Sequence, residues 1–298
     1  LGTYLAFSRA QESTADLAGA NYLGKAGVSG KGSLEFFKKL QNQEYRVAIF
    51  AKDSYDRTHP LSGERIATLE QLYRKDPAWA RPVDPALEAR FQRVRAKLIG
   101  YVTPKLAVAR YPDSDNSIPA HYARAYAYHL GAYPDKANTE ADALLKIAPD
   151  DPFFLELKGQ ILLESGRPND AIAPLRQAVA NAPDMPMIAV MLGHALIASD
   201  KRENFAEAKQ VLKNAVNRDN DNPFAWLQLG IVYDREGDEP RAALATAERN
   251  NLTGENKLAL SSAKMAMAGL KPGTPDYLRA QDIAMVSEEA VKKDKKKR

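Results

Sequence analysis

Cysteine is absent from this 298-residue chain. That rules out disulfides, zinc–thiolate sites and cysteine nucleophiles, and it permits an oxidising compartment without requiring one. Histidine is scarce: His59, His121, His129 and His194 are the whole set, and no two stand four residues apart. An H-E-x-x-H helix, which sets two imidazoles on one face for a metal, therefore occurs nowhere in these residues. No apolar run approaches the ~20 residues of a membrane-spanning helix. No signal-peptide pattern opens the chain, which begins at Leu1 and not at Met. Charge of one sign is confined to one place. Lys and Arg number 42 against 38 Asp and Glu, for a net charge of +4. Residues 292–298 carry six positive charges and one negative, and without them the balance is −1. A folded basic face for nucleic acid is thus not indicated, and the terminal lysine run reads as a solvated, disordered end.

What remains is an ordinary globular composition, 45% hydrophobic and 27% charged, with helix signals throughout and a length that suits one large or two ordinary domains. A first helix is expected over residues 2–23. Gly24 to Gly32 breaks it. This run is no phosphate cradle, since Lys25 stands where the first glycine of G-x-x-x-x-G-K-[ST] belongs and a helix, not a strand, precedes it. Ser33 is expected to cap a second helix with Leu34, Phe36, Phe37 and Leu40 inward. A third is expected over residues 62–74, with Ile66, Leu69 and Leu72 on one face. A proline-rich loop over residues 76–85 leads to a fourth at 87–99, whose Phe91, Val94 and Leu98 have the spacing of a core stripe.

From about Pro119 the chain repeats itself. Gly159 and Gly193 are 34 residues apart, and Gly230 follows 37 later, with three extra residues near Asp200 to Asn204. The clearest copy reads Trp226-x-x-Leu229-Gly230-x-x-Tyr233, then Gly237 and Ala242, which is the tetratricopeptide (TPR) signature. Ala171, Leu175, Ala178 and Pro183 mark the second helix of one copy, and Ala208, Leu212 and Ala215 mark the next. Small residues let paired helices approach, and Asp151-Pro152 and Asn222-Pro223 open new helices with proline in the first turn. Such pairs stack, and the first helix of each lines an inner surface. By register, Phe153, Glu156, Gln160, Met187, Val190, His194, Phe224, Leu227 and Ile231 are candidates for that surface. His121 and His129 lie among Tyr122, Tyr126 and Tyr128 and read as an aromatic packing cluster. Met265, Met267 and Met285 read as core gap-fillers or capping-helix residues.

Near the start stands Gln11-Glu12-Ser13-Thr14-Ala15-Asp16. Glu12 and Asp16 are four apart and share one helix face, amid largely apolar neighbours where a carboxylate is costly without a partner. On local chemistry alone, a surface helix with its acids in water, Arg9 pairing with Glu12, is the readier account, and it is the rest of the chain that turns the reading. Further on come Thr58-His59-Pro60 and Glu64-Arg65-Ile66. Together with the repeat array, these motifs resemble the HtpX-like zinc metallopeptidases that carry a TPR tail, the β-barrel-assembly-enhancing type. The resemblance implies Glu12 as the third zinc ligand, Asp16 as the group that orients a ligand histidine, Arg65 as a further supporting residue, and His59 as a loop residue close to the metal. The H-E-x-x-H half is missing, so zinc is expected only in a complete protein with a catalytic segment upstream, and these residues alone are expected to bind and not to hydrolyse.

The resulting expectation is an all-α chain, the C-terminal part of a gluzincin-type helical peptidase domain followed by a TPR α-solenoid. Its parts are a peptidase portion at 1–100, a linker at 101–118, TPR repeats at 119–250, capping helices at 251–290 and a basic disordered tail at 291–298. The resemblance implies a periplasmic or secreted zinc metalloendopeptidase in envelope protein quality control, with the TPR groove binding client or partner proteins. The alternative is a TPR adaptor without chemistry.

Overall fold

The computed structural model describes the backbone of residues 2–48 and 63–296, with side chains over 10–43 and 63–293. Every regular element among the described residues is helical. The chain divides into two compact units, Leu1–Gln92 and Arg93–Arg298.

The first unit holds α1 (Gly2–Lys25), α2 (Lys31–Ala48) and α3 (Gly63–Lys75), followed by a short 3₁₀ turn at Pro77–Ala80. Among the described residues Leu34, Ile66, Leu69 and Tyr73 form its core, with Ala20, Leu23, Phe37 and Trp79 packed against them. Helix α2 starts two residues before Ser33, so Ser33 does not cap it; its hydroxyl instead meets the Tyr73 hydroxyl at 3.0 Å. Gly30 is glycine because the Tyr73 ring lies where a Cβ would go, 2.1 Å from its nearest carbon. Phe36 is exposed, against the sequence expectation. It stands two residues from Leu34, about 200° round the helix, and only one of the two can face the core.

Helix α4 (Pro85–Val102) contains the boundary between the units. Phe91, Val94 and Leu98 are exposed, while Ala96 and Gly100 are buried. The expected apolar stripe is therefore not the packed face. A Cβ on Gly100 would lie 2.5 Å from the Ala123 carbonyl oxygen, so the small-residue face wins by letting the backbones touch. The segment read as a linker carries the end of α4 and a further helix, α5 (Pro104–Arg110).

The second unit then runs as helix pairs: α6 (Ile118–Leu130) with α7 (Pro134–Ile147), α8 (Pro152–Glu164) with α9 (Pro168–Asn181), α10 (Pro186–Ala198) with α11 (Phe205–Arg218), and α12 (Pro223–Arg235) with α13 (Glu239–Leu252). Helices α14 (Asn256–Gly269) and α15 (Pro275–Lys296) end it, and α15 remains helical through residues read as a disordered tail. The turn inside each pair carries one residue of positive φ: Ala132 (60°), Gly166 (78°), Asp200 (54°) and Gly237 (78°). Their spacing repeats the 34-, 34- and 37-residue period. Gly159 and Gly193 allow the closest approach within pairs, since a Cβ would fall 2.3 Å from Leu175 Cγ and 2.5 Å from Leu212 Cγ. Asp151 and Asn222 cap α8 and α12, each accepting two backbone N–H bonds.

The histidines read as aromatic packing make polar contacts instead. His121 Nδ1 lies 2.5 Å from Glu140 Oε2, and the buried Arg124 donates to Glu140 and to the Pro112 and Asp115 carbonyls. His129 pairs with Glu164. Met265 and Met285 are exposed and fill no gap in the core, whereas Met267 packs against the last cluster of alanines.

Candidate functional site

Helix α1 offers Glu12 and Asp16 one turn apart, and α3 brings Arg65 to both. Ile66, beside Arg65, is buried in the core of the first unit, so the register of α3 is fixed by packing and the guanidinium is presented from a set position. Arg65 grips Asp16 with both prongs, Nε to Oδ2 at 2.8 Å and Nη2 to Oδ1 at 3.0 Å, and Nη2 also reaches Glu12 Oε2 at 2.9 Å. The side chains are 14% exposed for Arg65, 12% for Asp16 and 26% for Glu12. A planar guanidinium matched to a carboxylate is the strong form of ion pair. Arg65 is held above the usual guanidinium range, first by its hydrogen bond to Asp16 and further by the charges of both acids, against the opposing effect of burial.

The structure therefore brings Glu12, Asp16 and Arg65 together. His59 lies outside the described residues. Among the described residues no group of three or more His, Asp or Glu side chains is placed to hold a metal ion. As a donor set, the cluster fits one carboxylate ligand with a supporting acid and cation, not a whole zinc site. Zinc needs three protein ligands and an open position for catalysis.

On the repeat array, Phe153, Met187 and Phe224 occupy matching places on α8, α10 and α12, and all three are exposed. Gln160, His194 and Ile231 match one another in the same way and are half-buried, as are Glu156 and Leu227. Val190 is the exception. It is buried in the main hydrophobic cluster, because a short branched side chain ends among the packed helices where Glu156 and Leu227 extend beyond them. His194 meets the Phe224 ring edge-on at 5.4 Å, and Asn222 Nδ2 lies 3.1 Å from Met187 Sδ. Burial pushes the Glu156 carboxyl up, with Lys97 opposing, and pushes the His194 imidazole down, with Glu164 opposing.

Glu164 was not among the residues singled out from the sequence. It accepts from His129 Nε2 at 2.7 Å and Gln160 Nε2 at 2.9 Å, and the bond from His129 chiefly holds its carboxyl below the usual range. A spacing signal for it exists. Basic and acidic side chains meet one repeat length apart at His129–Glu164, Asp184–Arg218, Asp200–Arg235 and Arg241–Asp276.

Comparison with known proteins places the acid cluster in context. Residues 1–73 match the model of Peptidase family M48. The chain is 24% identical over 283 residues to the beta-barrel assembly-enhancing protease of Yersinia pestis, covering 92% of this chain and 56% of that protein. It is 25% identical over 251 residues to a putative beta-barrel assembly-enhancing protease of Vibrio cholerae serotype O1, covering 81% of this chain and 50% of that protein. The chain thus spans about half the length of the curated relatives it matches. Among solved structures, YrrB, a TPR protein with an unusual peptide-binding site, is 17% identical over 60% of this chain and 96% of its own, with a TM-score of 0.47. No helix among the described residues is long and apolar enough to cross a membrane.

Proposed function

We propose that this chain is the C-terminal portion of a periplasmic zinc metalloendopeptidase of envelope protein quality control, whose TPR repeats hold client or partner proteins. The observation that carries the reading is the Glu12–Asp16–Arg65 cluster, which lies inside the segment that matches Peptidase family M48. In this reading Glu12 is the third zinc ligand. Zinc, when bound, supplies a polarised water for attack on a peptide carbonyl. Asp16 keeps lone pairs on both oxygens beyond those Arg65 engages, so it can hold a ligand histidine in one tautomer while the guanidinium fixes its own orientation. Arg65 holds two neighbouring carboxylates aligned. His59 is a loop residue close to the metal, and the H-E-x-x-H histidines come from a segment outside these residues. The accessible residues of the inner surface, from Phe153 to Ile231, hold an extended client segment.

A non-catalytic TPR adaptor is the second reading, resting on the array of stacked helix pairs, which needs no chemistry to bind a partner. One experiment separates them. In the protein that also carries the H-E-x-x-H segment, Glu12→Gln is expected to lower both zinc content, measured by elemental analysis, and peptidase activity. Unchanged occupancy and activity would remove Glu12 as a ligand, whereas a parent protein with neither bound zinc nor peptidase activity would favour the adaptor.

A further inference from the structure

Three exposed apolar side chains recur at one register along the array. Phe153, Met187 and Phe224 stand in the first turns of α8, α10 and α12 and are 38%, 59% and 40% exposed. Contacts between helices place the last two on one face. Asn222, which caps α12 beside Phe224, reaches the Met187 sulfur, and His194 of α10 meets the Phe224 ring. At the α8 end the Arg93 guanidinium, paired with Asp151, lies 5.5 Å from the Phe153 ring and bounds the row.

The spacing of such a row limits what can lie along it. Neighbouring packed helices stand about 8–10 Å apart, and an extended chain advances about 3.3 Å per residue, so one helix step takes about three residues of ligand. A strand that is apolar at every second residue puts those side chains about 7 Å apart and falls out of step with the row.

The same face carries a carboxylate without a donor. Glu156 lies one turn beyond Phe153 on α8 and is half-buried, and it makes no hydrogen bond among the described residues. Lys97 acts on it from a distance but forms no ion pair with it, its ammonium lying over the Tyr126 ring at 5.3 Å. The neighbouring groups are already engaged: Glu164 accepts from His129 and Gln160, and Arg235 pairs with Asp200. A half-buried carboxylate lacking a donor is costly, and a guanidinium or ammonium is the group that relieves the cost.

We propose that the inner surface selects an extended partner segment with apolar side chains at every third residue and a lysine or arginine over α8, paired with Glu156. This rests on the reading that the inner surface holds a client segment, and it adds the chemistry of that segment.

Three peptides, each acetylated and amidated, are titrated into the full chain by calorimetry. The first is Arg-Leu-Gly-Ser-Leu-Gly-Ser-Leu-Arg, with arginine at both ends so that either chain direction can reach Glu156. The second has serine for both arginines. The third, Arg-Leu-Gly-Leu-Ser-Leu-Gly-Ser-Arg, keeps the composition and alternates the leucines. The first is expected to bind tightest, although the chain carries a net charge of +4. Replacing its arginines should weaken binding about tenfold or more, the loss of a charge-assisted hydrogen bond. Respacing the leucines should weaken it about fivefold or more, the loss of one apolar contact. In Glu156→Gln the first two peptides should bind alike; circular dichroism checks that this variant keeps its helix content, and the peptide comparison on the parent chain does not depend on it. Equal binding of the arginine and serine peptides to the parent, an unchanged preference in Glu156→Gln, or equal binding of the respaced peptide would each overturn the proposal and leave the inner-surface reading standing. No saturable binding of any peptide would count against that reading itself and overturn the proposal with it.

Discussion

The two units are held together by different means. In the second, buried side chains run from pair to pair, and the same devices recur at each step: a glycine or alanine at the helix contact, a residue of positive φ in the turn, and a proline at the start of the next helix. Among its described residues the first has a core cluster of Leu34, Ile66, Leu69 and Tyr73 and a polar cluster in which one guanidinium serves two carboxylates. A stacked array draws stability from many similar interfaces, so no single polar contact is decisive. A cluster in which one guanidinium serves two carboxylates depends on that guanidinium much more.

This contrast can be broken most strongly from the array side. Leu196→Ala removes a fully buried side chain from the largest cluster and should cost about 2–5 kcal/mol. Denaturant unfolding followed by Trp226 emission should move to lower midpoint, while Trp79 emission in the first unit stays in place. Coincident shifts of both signals would mean that the units unfold as one. Next in size is Asp16→Asn, which takes the paired charge from Arg65 and should destabilise the first unit by about 1–3 kcal/mol. Here Trp79 is the reporter and Trp226 the control. A variant as stable as the parent would show that the ion cluster serves the site and not the fold. The smallest effect, and the only gain, is Ala132→Gly. At a φ of 60° an alanine carries about 1 kcal/mol of steric strain that glycine relieves, so the Trp226 midpoint should rise. No rise would indicate that the turn relaxes around alanine.

Much of this architecture was legible in the residues. The array was readable because its packing rules fall on glycine, alanine and proline, residues whose backbone effects are local and whose period survives substitution elsewhere. The Glu12–Asp16 pair was readable from helical spacing alone, although nothing in spacing reveals that Arg65, 49 residues later, grips Asp16 with two nitrogens. On α4 the periodicity correctly identified a helix with an apolar face at Phe91, Val94 and Leu98, but periodicity does not say which face packs. Close backbone approach at Gly100 decided that, and glycine contributes nothing to a hydrophobic stripe. Val190 was misplaced for a related reason: register gives direction, while depth depends on side-chain length relative to the neighbours. The histidines of α6 looked aromatic by their sequence neighbours, and their true partners, Glu140 and Glu164, come from other helices.

The ion pairs spaced by one repeat have a mechanical consequence. Within a pair, helices meet largely through interlocked shapes, and the Arg124–Glu140 contact between α6 and α7 is buried away from salt. Between pairs, part of the stitching is ionic and faces solvent, as at Asp184–Arg218 and Asp200–Arg235. Screening weakens such contacts over a Debye length of about 8 Å at physiological ionic strength. The array is thus a spring whose coils are stiff and whose coil-to-coil give is set partly by the surrounding electrolyte.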